Sequence, residues 1–185
     1  MNTTPDQPSD GPASDWRDPA GVDGPTGPTV PVTHLVVGFD RHNHSRIALD
    51  YAIGLALALN AYLHVAHVID TDDLPIDPDA ADWDHAVTEV IERERAQACA
   101  MLAELPGNWS YRAHRGDPAH TLSAIADAND ASMIVLGAPR HGLASLAERL
   151  LGESVSARLI RRGHRPVVLV PEHSPATARL SRRGR

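Results

Sequence analysis

The chain reads as a single α/β domain built on a doubly wound parallel sheet, and three observations predict it. Five strand-length segments alternate with four helical ones, the order that produces parallel strands joined by crossover helices. Three of the five strand segments are apolar runs, which suit strands covered on both faces. With 185 residues and 42% apolar content, the chain has room for one core of ordinary size.

Residues 1–31 hold seven Pro, four Gly and five Asp and almost no aliphatic side chains, a composition that predicts a disordered tail. Trp16 is its one aromatic residue, read as part of a solvated linker. The run His34-Leu-Val-Val-Gly-Phe39, ending at Asp40, is the first predicted strand. After the polar turn Arg41-His-Asn-His44, Ser45 serves as cap of a helix that carries Ile47, Tyr51, Leu55 and Leu59 along one side and stops near Asn60. Tyr62 to Ile69 is the second strand, and Asp70 to Asp84 an acidic surface loop. Val87, Val90, Ile91, Ala98, Met101, Leu102 and Leu105 then share one face of a helix that Pro106-Gly107 stops. Trp109 to His114 alternates apolar and polar residues, the pattern of an edge strand with one wet face. Asp117 caps the next helix, with Pro118 in its first turn and an end near Asn129. Met133 to Leu136, Gly137, a loop, a helix from near Ser154 and the strand Pro166-Val-Val-Leu-Val170 complete the domain. Residues 172–185, with one Glu and four Arg, form a basic tail.

Composition excludes several function classes. All 17 basic residues are Arg, so neither a Schiff-base lysine nor a Walker A lysine is available. The one cysteine, Cys99, cannot form an intramolecular disulfide; it falls on the apolar side of a predicted helix and is read as an inert core thiol in a reducing interior. No secretory signal is visible in the first thirty residues. Ile47 to Ile69 is apolar enough to resemble a membrane span, but Asp50 within it would cost about 2.5–3.5 kcal/mol on insertion, and a helix followed by a strand explains it better. Net charge is −7, and Arg158, Arg161, Arg162 and Arg165 cluster near the last helix's end without aromatic neighbours, so nucleic-acid binding is not expected. His42 and His44 beside Asp40 lack a full ligand set, and His64 and His67 point to opposite faces of a strand, so no metal is expected.

Chemistry concentrates where the strand Met133–Leu136 ends at Gly137 and the chain passes into a Ser-rich helix N-terminus. Backbone N–H groups and the positive end of a helix dipole meet there, and such a point attracts phosphate. In a doubly wound sheet a ligand lies beyond the carboxyl ends of the strands where the winding reverses; if the first and fourth strands are neighbours, Asp40 and Gly137 flank that crevice.

Val36-Val-Gly-Phe-Asp40, Leu63-His-Val-Ala-His-Val-Ile-Asp70, Gly116-Asp-Pro118, Ile134-Val-Leu-Gly137, Ser154-Val-Ser156 and Pro166-Val-Val-Leu-Val170 together resemble a universal stress protein domain over Thr33 to Pro171. The resemblance implies a Rossmann-like, five-stranded parallel sheet of order 3-2-1-4-5, with residues 32–171 as the domain, and a cytoplasmic homodimer paired through Val167 to Val170. It also implies ATP as ligand, held by an Asp after the first strand, a backbone contact at the end of the second, and a loop G-x2-G-x9-G-[ST]. The matching positions are Asp40, Val68, Gly137, Ser154, Val155 and Ser156. The loop departs from the pattern: Arg140 replaces the second glycine, the loop is longer, and the surviving glycine spacing runs from Gly142 to Gly152. In either register Glu153 falls beside the expected phosphates and repels them, while Arg140 offers a guanidinium in compensation. The competing structural reading is that these glycines only make a tight turn.

A fainter resemblance joins Gly38-Phe-Asp-Arg-His-Asn-His44 and Ser154-Val-Ser-Ala-Arg158 to two signatures of nucleotidyltransferases, with Asn43 in place of a glycine and short spacing. No nucleophile–base pair is placed for turnover chemistry. The sequence therefore predicts a stress-response regulatory module, not a turnover enzyme. Either it is occupied by ATP, or it is a nucleotide-free dimer that acts through a protein partner.

Overall fold

A computed structural model describes residues 21–69, 83–138, 154–163 and 165–172. Within them lie six strands and four helices: β1 (Val22–Asp23), β2 (Thr33–Phe39), α1 (Asn43–Leu59), β3 (Ala61–Ile69), α2 (Trp83–Leu102), β4 (Trp109–Arg115), α3 (Pro118–Ala128), β5 (Met133–Ala138), α4 (Val155–Arg162) and β6 (Val167–Pro171). The strands form one sheet of order β1-β4-β3-β2-β5-β6. β2 is central, parallel to β3 on one side and to β5 on the other, with Val36 opposite both His64 and Ile134. Its Leu35, Val36 and Val37 are completely buried, each contributing about 1.5–3 kcal/mol of hydrophobic stabilisation. α1 and α2 pack on one face of the sheet and α3 and α4 on the other, so each face has its own apolar cluster.

The sheet is mixed and six-stranded, not five-stranded and wholly parallel as the sequence predicts, because part of the expected tail joins it. Val22 and Asp23 pair antiparallel with Tyr111 and Ser110. Asn108 fastens the segment: its backbone N–H donates to Pro25 O (3.0 Å), its Oδ1 accepts from Gly27 N–H (3.0 Å) and its Nδ2 donates to Thr29 O (2.9 Å). β4 is consequently not the wet edge strand predicted for it. Trp109, Ser110, Tyr111 and Ala113 are all buried. The expectations for residues 1–20, Trp16 among them, and for 173–185 lie outside the described residues.

Two helices also differ from their expected form. α1 begins at Asn43, with His42 rather than Ser45 at its N-cap. The Ser45 hydroxyl instead donates to the carbonyls of Asp40 (2.8 Å) and His42 (2.9 Å), closing the strand-to-helix turn from inside. Ala48, Leu49, Ala52, Ile53 and Ala56 form its buried face; Ile47, Tyr51 and Leu55 flank that face and Leu59 is exposed, because alanines allow the helix to lie close on the sheet. α2 begins at Trp83, inside the stretch expected as loop, and the remainder of that loop is outside the described residues. Asp117 and Ser154 do cap α3 and α4, accepting from His120 N–H (2.7 Å) and Ala157 N–H (3.2 Å).

Candidate functional site

β2 and β5 are adjacent, yet the chain leaves them in opposite directions across the sheet, so a crevice opens beyond their carboxyl ends. A cleft of about 320 Å³ occupies this position. One wall is the turn after β2, with Asp40 and His44; another is the end of β3, with His67, Val68 and Ile69. Gly137 of β5 and Ser154, Val155 and Ser156 of α4 line a third side, and Val90, Ile91 and Glu94 of α2 a fourth.

The Asp40 carboxylate is held by its own turn. Oδ1 accepts the His42 N–H at 2.7 Å, and Oδ2 lies 3.7 Å from His44 Nε2. The Asp40 N–H donates to Ser45 Oγ at 3.2 Å. At α4, the Ser154 hydroxyl takes the Ala157 N–H, and no partner among the described residues takes the N–H groups of Val155 and Ser156 at the first two helical positions. These donors sit at the positive end of the helix dipole and can accept an anion. Arg158, one turn later, pairs with Asp117 at the start of α3. Burial would push the Asp117 carboxyl up, but the His120 N–H and the guanidinium groups of Arg158 and Arg162 outweigh it and hold the carboxyl below its usual range.

Gly137 has a packing reason. A Cβ there would lie 2.2 Å from the backbone oxygen of His44, so β5 and the first turn of α1 touch backbone to backbone. The glycine keeps the Asp40 turn and the end of β5 in contact whether or not a ligand is bound.

Of the residues selected from the sequence, the structure brings Asp40, Val68, Gly137, Ser154, Val155 and Ser156 to one cleft. Arg140, Gly142 and Gly152, with Glu153, lie outside the described residues. Sequence reasoning missed a buried group of three. His67, 4% exposed, lies with Nε2 2.8 Å from Glu94 Oε2 and Nδ1 2.7 Å from the Tyr111 hydroxyl. The signal was there: Glu94 interrupts the apolar stripe of α2 between Ile91 and Ala98, where a solvent-facing carboxylate does not belong.

The other face of the sheet has a second polar hollow, also of about 320 Å³, beside Tyr62, His64, Ser110 and Arg112. His34 Nδ1 and His64 Nε2 are 2.9 Å apart, and burial, with the nearby charges of His34 and Arg112, lowers the His64 pKa to about 4. No group of three or more potential ligands suited to a metal ion occurs among the described residues. Burial pushes the Cys99 thiol up, with Arg95 opposing, which leaves it protonated at neutral pH. No described helix is long and apolar enough to cross a membrane.

Fold and cleft together define a doubly wound α/β protein with a crevice at its switch point. The sequence profile of the universal stress protein family matches residues 31–171, and the chain belongs to that family. A universal stress protein of Methanocaldococcus jannaschii is 27% identical over 141 residues, covering 74% of this chain and 80% of its own. The crystal structure of a family member from Burkholderia pseudomallei is 26% identical with a TM-score of 0.56, over 75% of this chain and 96% of that one. A universal stress protein crystallised in complex with cAMP is 28% identical with a TM-score of 0.52, over 76% of this chain and 97% of that one.

Proposed function

We propose that this protein is a cytoplasmic, stress-linked regulatory module whose signal is an adenine nucleotide, ATP foremost, bound in the switch-point cleft. One observation carries the reading: Val155 and Ser156, whose N–H groups have no partner among the described residues, line the same cleft as Asp40. The first suits phosphate oxygens and the second a ribose hydroxyl, so a nucleotide would satisfy both ends of the crevice. The cAMP-bound relative supports an adenine nucleotide as the class of ligand. Arg140, Gly142 and Gly152 would complete the phosphate contacts from the altered loop.

To test it, the protein is purified from cells and denatured, and any released small molecule is identified by chromatography and mass spectrometry; added ATP is then titrated onto the emptied protein. Stoichiometric release of an adenine nucleotide, or binding of ATP that Asp40→Ala weakens at least tenfold, is the expected result. An empty protein that does not take up ATP overturns it.

A second reading concerns β6. Its outer edge has no strand partner among the described residues, and Val167, Val168 and Leu169 are only half-buried. An open, apolar, parallel-sheet edge suits pairing with a second copy of the chain, and we infer that dimerisation through Val167 to Val170 is how the module presents its signal to a protein partner.

A further inference from the structure

We propose that Glu94 reads the amino group of the nucleotide's base, and that His67 and Tyr111 behind it are positioning residues that aim its carboxylate. The inference rests on the nucleotide reading above and names the part of the ligand that decides specificity.

The cleft is chemically polarised. Its anion-accepting N–H groups belong to α4 on one face of the sheet, whereas α2, on the other face, contributes Val90, Ile91 and Glu94. A phosphate held at α4 leaves the base against α2, where two aliphatic side chains offer it an apolar surface. Phosphate itself is repelled from that end by the carboxylate.

Glu94 is 7% exposed, and a carboxylate so enclosed is costly unless its oxygens are hydrogen-bonded. One oxygen is provided for. With a neutral imidazole, the Tyr111 hydroxyl donates to His67 Nδ1 at 2.7 Å, which puts the ring proton on Nε2, and Nε2–H donates to Glu94 Oε2 at 2.8 Å. Both ring nitrogens are then used and the ring cannot turn. Phe39 meets the imidazole edge to face at 6.1 Å and closes it in further. Glu94 lines the cleft, and its Oε1 has no partner among the described residues.

A carboxylate accepts hydrogen bonds and cannot donate, so a ligand group set against Oε1 in place of water has to present an N–H or O–H. The exocyclic amine of adenine supplies one. Hypoxanthine places a carbonyl oxygen at the same point, setting lone pairs against lone pairs and leaving Oε1 buried and unpaired. A site built around a buried acceptor rejects the analogue that lacks the donor far more strongly than an apolar pocket rejects a change of shape.

ATP and ITP, which differ at this group, are titrated calorimetrically onto the full-length protein, then onto Glu94→Gln and Tyr111→Phe. ATP should bind the unaltered protein about ten- to a hundredfold more tightly than ITP, the span expected for a hydrogen bond to a charged group. Glu94→Gln, whose amide can donate to the oxo group, should bring the two within about threefold, and Tyr111→Phe should narrow the gap by freeing the imidazole. Equal affinities for ATP and ITP in the unaltered protein would overturn the role of Glu94 while leaving nucleotide binding intact. Discrimination that survives in a folded Glu94→Gln protein would overturn it as well. If that variant does not fold, the unaltered protein and Tyr111→Phe decide the question. Binding of neither nucleotide would remove the nucleotide reading, and this inference with it.

Discussion

Among single residues, the histidines separate most clearly by surroundings. His64 lies against His34 and Arg112 with Ser110 at 3.3 Å, and burial is the main reason its pKa falls from 6.5 to about 4. The unfolded chain therefore binds a proton at this side chain between those two values when the folded chain does not, so stability is full above pH 6.5 and declines as pH falls toward 4. Because part of the ring stays wet, the loss should amount to about 1–2 kcal/mol, not the full linkage value. Denaturant titrations at pH 7 and pH 4.5 should show it, and His64→Gln should lose less over the same range; an identical decline in the variant would place the sensitivity elsewhere. His67, three residues along the same strand, faces the opposite side and meets Glu94 and Tyr111 instead. The strand period made that divergence legible in the sequence. The partners were not legible, because neither Glu94 nor Tyr111 is near in the chain and each belongs to an element whose pattern is read for its apolar members.

At the level of elements, continuous apolar runs identified β2, β5 and β6, and short polar caps identified the starts of α3 and α4, since both signals are local. β1 escaped because it is two residues long and lies in a Pro-, Gly- and Asp-rich stretch with almost no aliphatic side chains, and the glycines beside it have a packing role. They are contact surfaces: a Cβ on Gly24 would lie 2.4 Å from the Trp109 ring and one on Gly27 2.3 Å from the Asn108 amide. Arg112 reaches back to both carboxylate oxygens of Asp23, at 2.7 and 2.8 Å, and Gly24 N–H donates to Trp109 O at 2.8 Å. Deleting residues 1–28 removes those bonds and uncovers Trp109, which should cost about 2–4 kcal/mol, taking each lost hydrogen bond at about 1 kcal/mol with some apolar burial besides. Urea unfolding of the full and shortened chains measures this, and equal midpoints would show that the segment adds nothing. The altered loop between β5 and α4 belongs to this scale too: the sequence marks its departures at Arg140 and Glu153, and the helix start that receives it is in place at Ser154.

For the molecule as a whole, the layer architecture followed from the alternation of elements, and the switch point followed from the adjacency of β2 and β5, which no local signal reveals. The proposed dimer is tested at this level by light scattering, which should give twice the 19.9 kDa of one chain; a mass of one chain at micromolar concentration would refute it. The two borders of the sheet differ. One ends in β6, with a half-buried aliphatic row; the other ends in a two-residue antiparallel strand held by an arginine and an aspartate. Short, charged border strands discourage further pairing. If the sheet couples through β6 as proposed, it would behave like a monofunctional monomer in a polymerisation: among the described residues one border is receptive, the first coupling would consume it, and the short β1 at the other border would act as a chain terminator.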